Sequence, residues 1–224
     1  MLLAIDTSAG TSVAVVDRDR GVLAERSVED TRRHAEVIGT LILECLEASS
    51  VAVETLSGIA VGMGPGPFTG LRVGIAAANA FAFGAGKPVV RVVSHDAVAY
   101  AHYVAAAASA SGIVTGGGAD ATPLLVTTDA RRHERYWSAY SGADEFALPI
   151  RVQGPGLQRP DELPEVVTGY DGYQRWDADW VSAASVGLLA ESLYLHRRAF
   201  AGAEPLYLRS PDVTPSSGPR RVTA

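Results

Sequence analysis

The segment Val61-Gly62-Met63-Gly64-Pro65-Gly66-Pro67-Phe68-Thr69-Gly70-Leu71-Arg72-Val73-Gly74 constrains the fold more than any other stretch of this chain. An apolar run enters it, a small-residue helical pattern leaves it, and a glycine-proline turn joins the two. It therefore reads as a strand-turn-helix junction. Gly62, Gly64 and Gly66 tolerate positive φ, the prolines stiffen the turn, and Gly66 followed by Pro67 suits an N-cap and a first helical position. The amides of such a helix start point outward and can hold an anion. None of the usual side chains that turn binding into catalysis is present, so the loop reads as a phosphate cradle without its catalyst.

Upstream, Leu2 to Asp6, Ser12 to Asp17 and Val22 to Ser27 are short apolar or alternating runs. The turn signals Ala9-Gly10 and Asp19-Arg20-Gly21 separate them, which predicts a three-stranded meander. From Thr31 or Arg32 to about Ala48, Val37, Ile38, Leu41, Ile42, Cys45 and Leu46 recur at helical steps. Leu56 to Val61 is the next strand, Phe68 to Phe83 the next helix and Pro88 to Val93 another strand, after which Ser94 caps a helix running to Ala108. Residues 1–108 thus form a βββαβαβα lobe. Residues 109–122, with Gly116-Gly117-Gly118, read as a flexible connection. In residues 123–208, Leu124 to Thr128 and Arg135 to Tyr140 are strands around Asp129-Ala130-Arg131-Arg132. Val166 to Tyr170 is a later strand and Ser182 to Arg198 a helix, so the second half repeats the first in reduced form. Residues 209–224, proline-rich and without apolar period, read as a mobile tail.

A chain of 224 residues with 47% hydrophobic residues can bury a real core. Its net charge of −6 argues against a free-standing nucleic-acid binder, which needs a basic surface. RNA is expected to reach it only through a partner. Cys45 is the single cysteine, so no intrachain disulfide forms, and no cationic-apolar leader pattern opens the sequence; a cytoplasmic location is expected. The uncharged run from Val73 to Gly86 falls short of the roughly 20 residues that span a bilayer, so it reads as a buried helix rather than a membrane contact.

Four stretches together resemble the bacterial TsaB (YeaZ) family of tRNA threonylcarbamoyladenosine biosynthesis proteins, within the actin-like, sugar-kinase-like (RNase H-like) ATPase superfamily. They are Leu3-Ala4-Ile5-Asp6-Thr7-Ser8, the segment Gly64 to Gly74, Asp129-Ala130-Arg131 ahead of Tyr136-Trp137, and Ala203-Glu204-Pro205-Leu206-Tyr207-Leu208-Arg209. The second is highly specific, and the resemblance covers almost the whole chain; His133 and the proline-rich tail depart from the family pattern. The resemblance implies an α/β protein of two related lobes, the second reduced. It implies a non-catalytic scaffold for a TsaD-like subunit, which transfers threonylcarbamoyl from its adenylate to the adenosine beside the tRNA anticodon. A TsaE-like ATPase would be the third component. No cofactor is expected on this chain alone, with ATP or ADP held at a partner interface.

By that resemblance Asp6-Thr7-Ser8 stands where the first acidic loop of actin-like ATPases holds phosphate and magnesium; short polar residues also simply cap a hairpin turn. Metal-dependent relatives carry a histidine pair separated by three residues, but Ile38 stands four positions after His34. His95 and His102 lie two helical turns apart, roughly 10 Å, and His133-Glu134 meets Trp137 where a zinc-protease signature needs histidine. No metal site and no catalytic residue are expected.

The Phe68 to Phe83 helix is apolar nearly all round, so both of its sides should be covered. Gly66, Gly70, Gly74 and Ala78 form a small-residue line that would admit a second helix. With Arg72, and with Arg33, His34, Val37 and Leu41 on the preceding helix, Gly70, Gly74 and Ala78 define the predicted partner surface, used by a second copy when the chain is alone. Arg32 and Arg33 at a helix start fit anion or partner contact, or plain solvation. Two other functions compete. A glycoprotease-type peptidase lacks paired metal histidines and a serine-nucleophile elbow here, and a small-molecule kinase of the same superfamily needs a fuller second lobe.

Overall fold

The computed structural model describes residues 1–111 and 120–209. Most of the predicted connection and nearly all of the predicted tail lie outside the described residues. The first sheet contains β1 (Leu2–Asp6), β2 (Thr11–Asp17), β3 (Gly21–Val28), β4 (Gly58–Gly62) and β5 (Val89–Val92), in the order β3-β2-β1-β4-β5. The meander β1-β2-β3 is antiparallel, and β4 and β5 are added parallel through helical crossovers. β1 and β4 are buried along their whole length, as expected for strands covered on both faces.

Alternation along β1 sends Leu3 and Ile5 to one side and Leu2 and Ala4 to the other. The first side is covered by α1 (His34–Ser49) and α2 (Phe68–Ala85), through Ile38, Leu41, Ile42, Cys45, Ala78 and Ala82. The second is covered by α5 (Ala183–Leu195), which comes from the far end of the chain and packs in turn on α3 (Ser94–Ser111). α5 fits closely because it carries Gly187: a β-carbon there would lie 2.6 Å from Val16 Cγ2 and 3.1 Å from Ala4 Cβ. Ser182 caps it through the Ser185 amide at 3.2 Å. The Glu25 carboxylate of β3 accepts from Ser182 Oγ at 2.8 Å and from the Ala184 amide at 3.2 Å. A carboxylate at a helix N-terminus complements its macrodipole.

The second sheet, β6 (Leu124–Asp129), β7 (Arg135–Ala143), β8 (Pro149–Gln158) and β9 (Gln174–Ala178), runs β8-β7-β6-β9. It repeats the first: β6-β7-β8 is an antiparallel meander and β9 lies parallel to β6 as β4 does to β1. One face packs on α3, so the α3–α5 layer lies between the two sheets. The other buries Leu125, Trp137 and Ala139 under α4 (Leu163–Val166) and Val167.

Several expectations are corrected. Val166 to Tyr170 is not a strand: α4 ends at Val166 and a 3-10 turn follows at Tyr170–Gly172, so the parallel strand is β9. β8 went unread because Gly154, Pro155 and Gly156 interrupt its pattern, and the strand accommodates them with register irregularities against β7. Pro67, with ψ near 137°, is the N-cap of α2 rather than its first helical residue. The chain itself covers only one side of α2: Arg72, Ala76, Asn79, Ala80 and Phe83 are exposed. α2 is long and apolar enough to cross a membrane by length and composition, yet Gly70, Leu71, Gly74, Ala78 and Ala82 pack it into this core.

Candidate functional site

The ends of β1 and β4 and the start of α3 converge on Asp6. Its Oδ1 accepts from the Ser8 amide at 2.8 Å and from Ser8 Oγ at 2.5 Å, and its Oδ2 accepts from Ser94 Oγ at 2.6 Å. Ser94 Oγ in turn accepts from the Gly64 amide at 3.0 Å, and the Ser94 amide donates to Gly64 O at 2.8 Å. Thus Asp6 pins its own turn, the glycine-proline loop and α3 together. Burial pushes its pKa up, and hydrogen bonds from Ser8 and Ser94 oppose the rise without cancelling it.

The glycines of the junction let the loop pack closely on the Asp6 turn. A β-carbon on Gly62 would run into Asp6 Oδ2, and one on Gly66 would lie 2.8 Å from Ser8 Cα. On Gly70 it would lie 2.7 Å from Thr7 O and 3.0 Å from His34 Nε2. The loop read as a phosphate cradle is therefore folded onto Asp6-Thr7-Ser8, which are 1%, 1% and 3% exposed. Thr7 Oγ1 donates to Gly70 O at 2.8 Å, stitching the turn to the first turn of α2. Asp6, Thr7 and Ser8 thus bond to one another, to the loop and to the start of α3.

The predicted partner surface divides. His34 is buried, with Nδ1 at 2.7 Å from Thr11 Oγ1, and burial followed by the Arg131 charge lowers its pKa. Leu41, Gly70, Gly74 and Ala78 are also buried in the chain's own core. The small-residue line of α2 thus turns inward, admitting Thr7 and His34 rather than a second helix. Val37 is half-buried. Arg33 and Arg72 are exposed, the first paired with Glu36 at 3.0 Å and the second stacked over the Phe68 ring at 4.1 Å. The solvent side of this helical layer is instead made by residues such as Leu43, 62% exposed, and Phe83, 91% exposed.

Two buried networks were not foreseen. His95 Nδ1 meets Ser138 Oγ at 2.9 Å and its Nε2 meets Thr128 Oγ1 at 2.9 Å. Burial, aided by the Arg151 charge, lowers its pKa to about 3. Beside it Asp96 Oδ1 accepts from Tyr140 OH at 2.8 Å and lies 3.1 Å from Arg151 Nε. Both networks join the start of α3 to the second sheet. The polar run Ser94-His95-Asp96 directly after an apolar strand was the available signal. The turn between β6 and β7 holds Arg131, Arg132 and His133 all at positive φ, a sparsely populated state for such residues. Arg131 donates to Thr31 Oγ1 at 2.5 Å, and Glu134 pairs with Arg209, so this turn fastens both the entry to α1 and the end of the described chain.

Two meander-plus-parallel-strand sheets flanking shared helices, with acidic turns at Asp6 and Asp129, define a protein of the actin-like ATPase fold. The comparisons agree. A family model described as TsaD: tRNA N6-adenosine threonylcarbamoyltransferase matches residues 14–147. An uncharacterized protein of Mycobacterium tuberculosis is 33% identical over 96% of this chain and 94% of its own length. One of Mycobacterium leprae is 34% identical over 96% of this chain, which spans only 56% of that protein. The tRNA threonylcarbamoyladenosine biosynthesis protein TsaB of Escherichia coli is 28% identical over 93% of this chain and 94% of its own. A Pseudomonas aeruginosa structure, described as an uncharacterized protein with similarity to peptidase YEAZ, superposes with a TM-score of 0.68 at 25% identity, covering 93% of this chain and 99% of its own. The chain belongs to this threonylcarbamoyladenosine-biosynthesis family, in its TsaB (YeaZ) branch.

Proposed function

We propose that this chain is a non-catalytic scaffold in the installation of threonylcarbamoyl on the adenosine beside the tRNA anticodon, working through a TsaD-like catalytic subunit. One observation carries the reading: Asp6, the residue a phosphate-transferring relative needs free, is buried with both oxygens engaged by Ser8 and Ser94. A group so placed is a structural pin. On this reading any ATP or ADP would sit where this chain meets its partner. Among the described residues no three histidine, cysteine, aspartate or glutamate side chains cluster as metal ligands.

The solvent side of α1 and α2, with Leu43 and Phe83, is the face offered to the TsaD-like subunit, or to a second copy when the chain is alone. Exposed apolar patches mark association surfaces. A TsaE-like ATPase would join the assembled pair, tRNA would be met only through the complex, and the location would be cytoplasmic. Reconstitution tests this: threonylcarbamoyladenosine should form on tRNA when this chain and the TsaD-like subunit are combined with the ATPase and threonylcarbamoyl-adenylate. It should not form with this chain alone, and Asp6→Asn should retain activity in proportion to folded protein. Turnover by the isolated chain, lost in Asp6→Asn, would instead support an enzymatic role such as the peptidase mentioned for the Pseudomonas relative.

A further inference from the structure

The outer face of the second sheet carries a pocket of about 220 Å³ that takes no part in the site around Asp6. Strand pairing builds it. Leu125 stands opposite Arg175 and Thr127 opposite Asp177 in the β6/β9 ladder, while Asp129 stands opposite Arg135 in the β6/β7 ladder, so alternation puts Arg135, Arg175 and Asp177 on one face. Leu125 forms part of the apolar lining and Tyr170 part of its polar wall. The Arg175 guanidinium lies 4.2 Å from the centre of the Tyr170 ring, which holds its plane without neutralising its charge.

Among the described residues, neither Arg135 nor Arg175 has a carboxylate within ion-pair distance, so both guanidinium groups are available to an anion. Two guanidinium groups and one carboxylate line this small pocket, which leaves it net positive in a chain of net charge −6. Planar guanidinium forks match phosphate oxygens. The Asp177 carboxylate accepts from Thr127 Oγ1 through Oδ1, which leaves Oδ2 to accept from a ligand hydroxyl.

We propose that this pocket binds a sugar phosphate, with the phosphate on Arg135 and Arg175 and a sugar hydroxyl on Asp177. The volume lies below the roughly 300–1,000 Å³ of drug-sized sites, so the ligand is of pentose-phosphate size. The same chemistry is presented by a free sugar phosphate and by the sugar-phosphate part of a mononucleotide. The inference does not depend on the scaffold role.

The test is calorimetric titration of the full chain with ribose 5-phosphate, adenosine 5′-monophosphate and inorganic phosphate. Wild type should bind ribose 5-phosphate, and Arg135→Gln and Arg175→Gln should each weaken it by about tenfold or more, the effect of removing a charged hydrogen bond. Arg159→Gln, which removes an equal charge outside the pocket, should change nothing. Asp177→Asn should weaken ribose 5-phosphate while leaving inorganic phosphate unchanged. Adenosine 5′-monophosphate binding at least as well identifies the nucleotide as the source; weaker binding identifies the free sugar phosphate. Arg175 is exposed, so Arg175→Gln decides the matter even if Arg135→Gln fails to fold. No binding by wild type at millimolar ribose 5-phosphate, or equal binding by Arg175→Gln, would overturn the proposal.

Discussion

Gly74 lies directly against Thr7: a β-carbon on the glycine would strike Thr7 Oγ1 and press on Cγ2 at 3.0 Å. The same hydroxyl donates to Gly70 O at 2.8 Å, so Thr7 cannot swing away without abandoning a buried hydrogen bond. Gly74→Leu is therefore expected to destabilise the fold by at least the ~1–3 kcal/mol of core overpacking. Gly74→Ala should lose less, because about 1 kcal/mol of helix propensity offsets the clash. Urea denaturation measures both. A Gly74→Leu chain as stable as wild type but unable to pair would return this glycine to an intermolecular role.

His95 gives the fold an acid sensitivity. Its folded pKa of about 3 lies below the unfolded value of 6.5, so the unfolded chain binds the extra proton between those limits. The contribution is complete above pH 6.5 and is lost as pH falls towards 3, with a limiting slope of about 1.4 kcal/mol per pH unit. His95→Gln keeps hydrogen-bonding groups towards Ser138 and Thr128 but does not titrate. Its stability should fall less steeply than wild type between pH 6 and pH 4. Taking the difference between the two proteins cancels the carboxylates, including Asp96, whose burial pushes its pKa the other way. Parallel pH profiles would show that His95 is not buried neutral.

The sequence disclosed the first lobe well because its signals are local. Leu2 to Asp6 is an unbroken apolar strand, α1 has a clear helical period, and the Gly64 to Gly74 turn has few alternative conformations. It disclosed direction poorly. Gly70, Gly74 and Ala78 do form a line, but a line of small residues says only that something approaches closely, and Thr7 and His34 fill that space from within. Similarly, Asp6-Thr7-Ser8 gives no sign in sequence of its bond to Ser94, 88 residues away, which only the fold brings beside it. β8 was hidden by Gly154-Pro155-Gly156, which breaks alternation in the strand that a bulged partner nonetheless accepts.

Replacing Asp6 separates shape from charge. Asp6→Ala leaves Ser8 and Ser94 without their shared buried acceptor, a loss on the order of 1–3 kcal/mol. Asp6→Asn preserves the shape and one acceptor, with its amide able to donate to Ser94 Oγ. Because burial raises the Asp6 pKa above 3.8, the folded state holds the proton more tightly than the unfolded one. That contribution is full below pH 3.8 and is lost as pH rises through the folded value. Asp6→Asn should therefore gain on wild type as pH rises from acid to neutral. Thermal melts across pH would show this; a constant difference would mean that Asp6 ionises without penalty.

Phe83 tests the association surface without disturbing the core. It is 91% exposed near the end of α2, so Phe83→Lys removes almost no buried area, and a cation there suits the C-terminal end of a helix dipole. Stability should stay within about 0.5 kcal/mol of wild type. If the solvent side of α1 and α2 is the contact face, the variant should lose self-association in light scattering. It should also bind the TsaD-like subunit more weakly, by ten- to a hundredfold for an anchoring aromatic of about 1–3 kcal/mol. Leu43→Lys, on the neighbouring helix and 62% exposed, should act in the same direction. Wild-type dimerisation and pairing in both variants would move the interface to another part of the molecule.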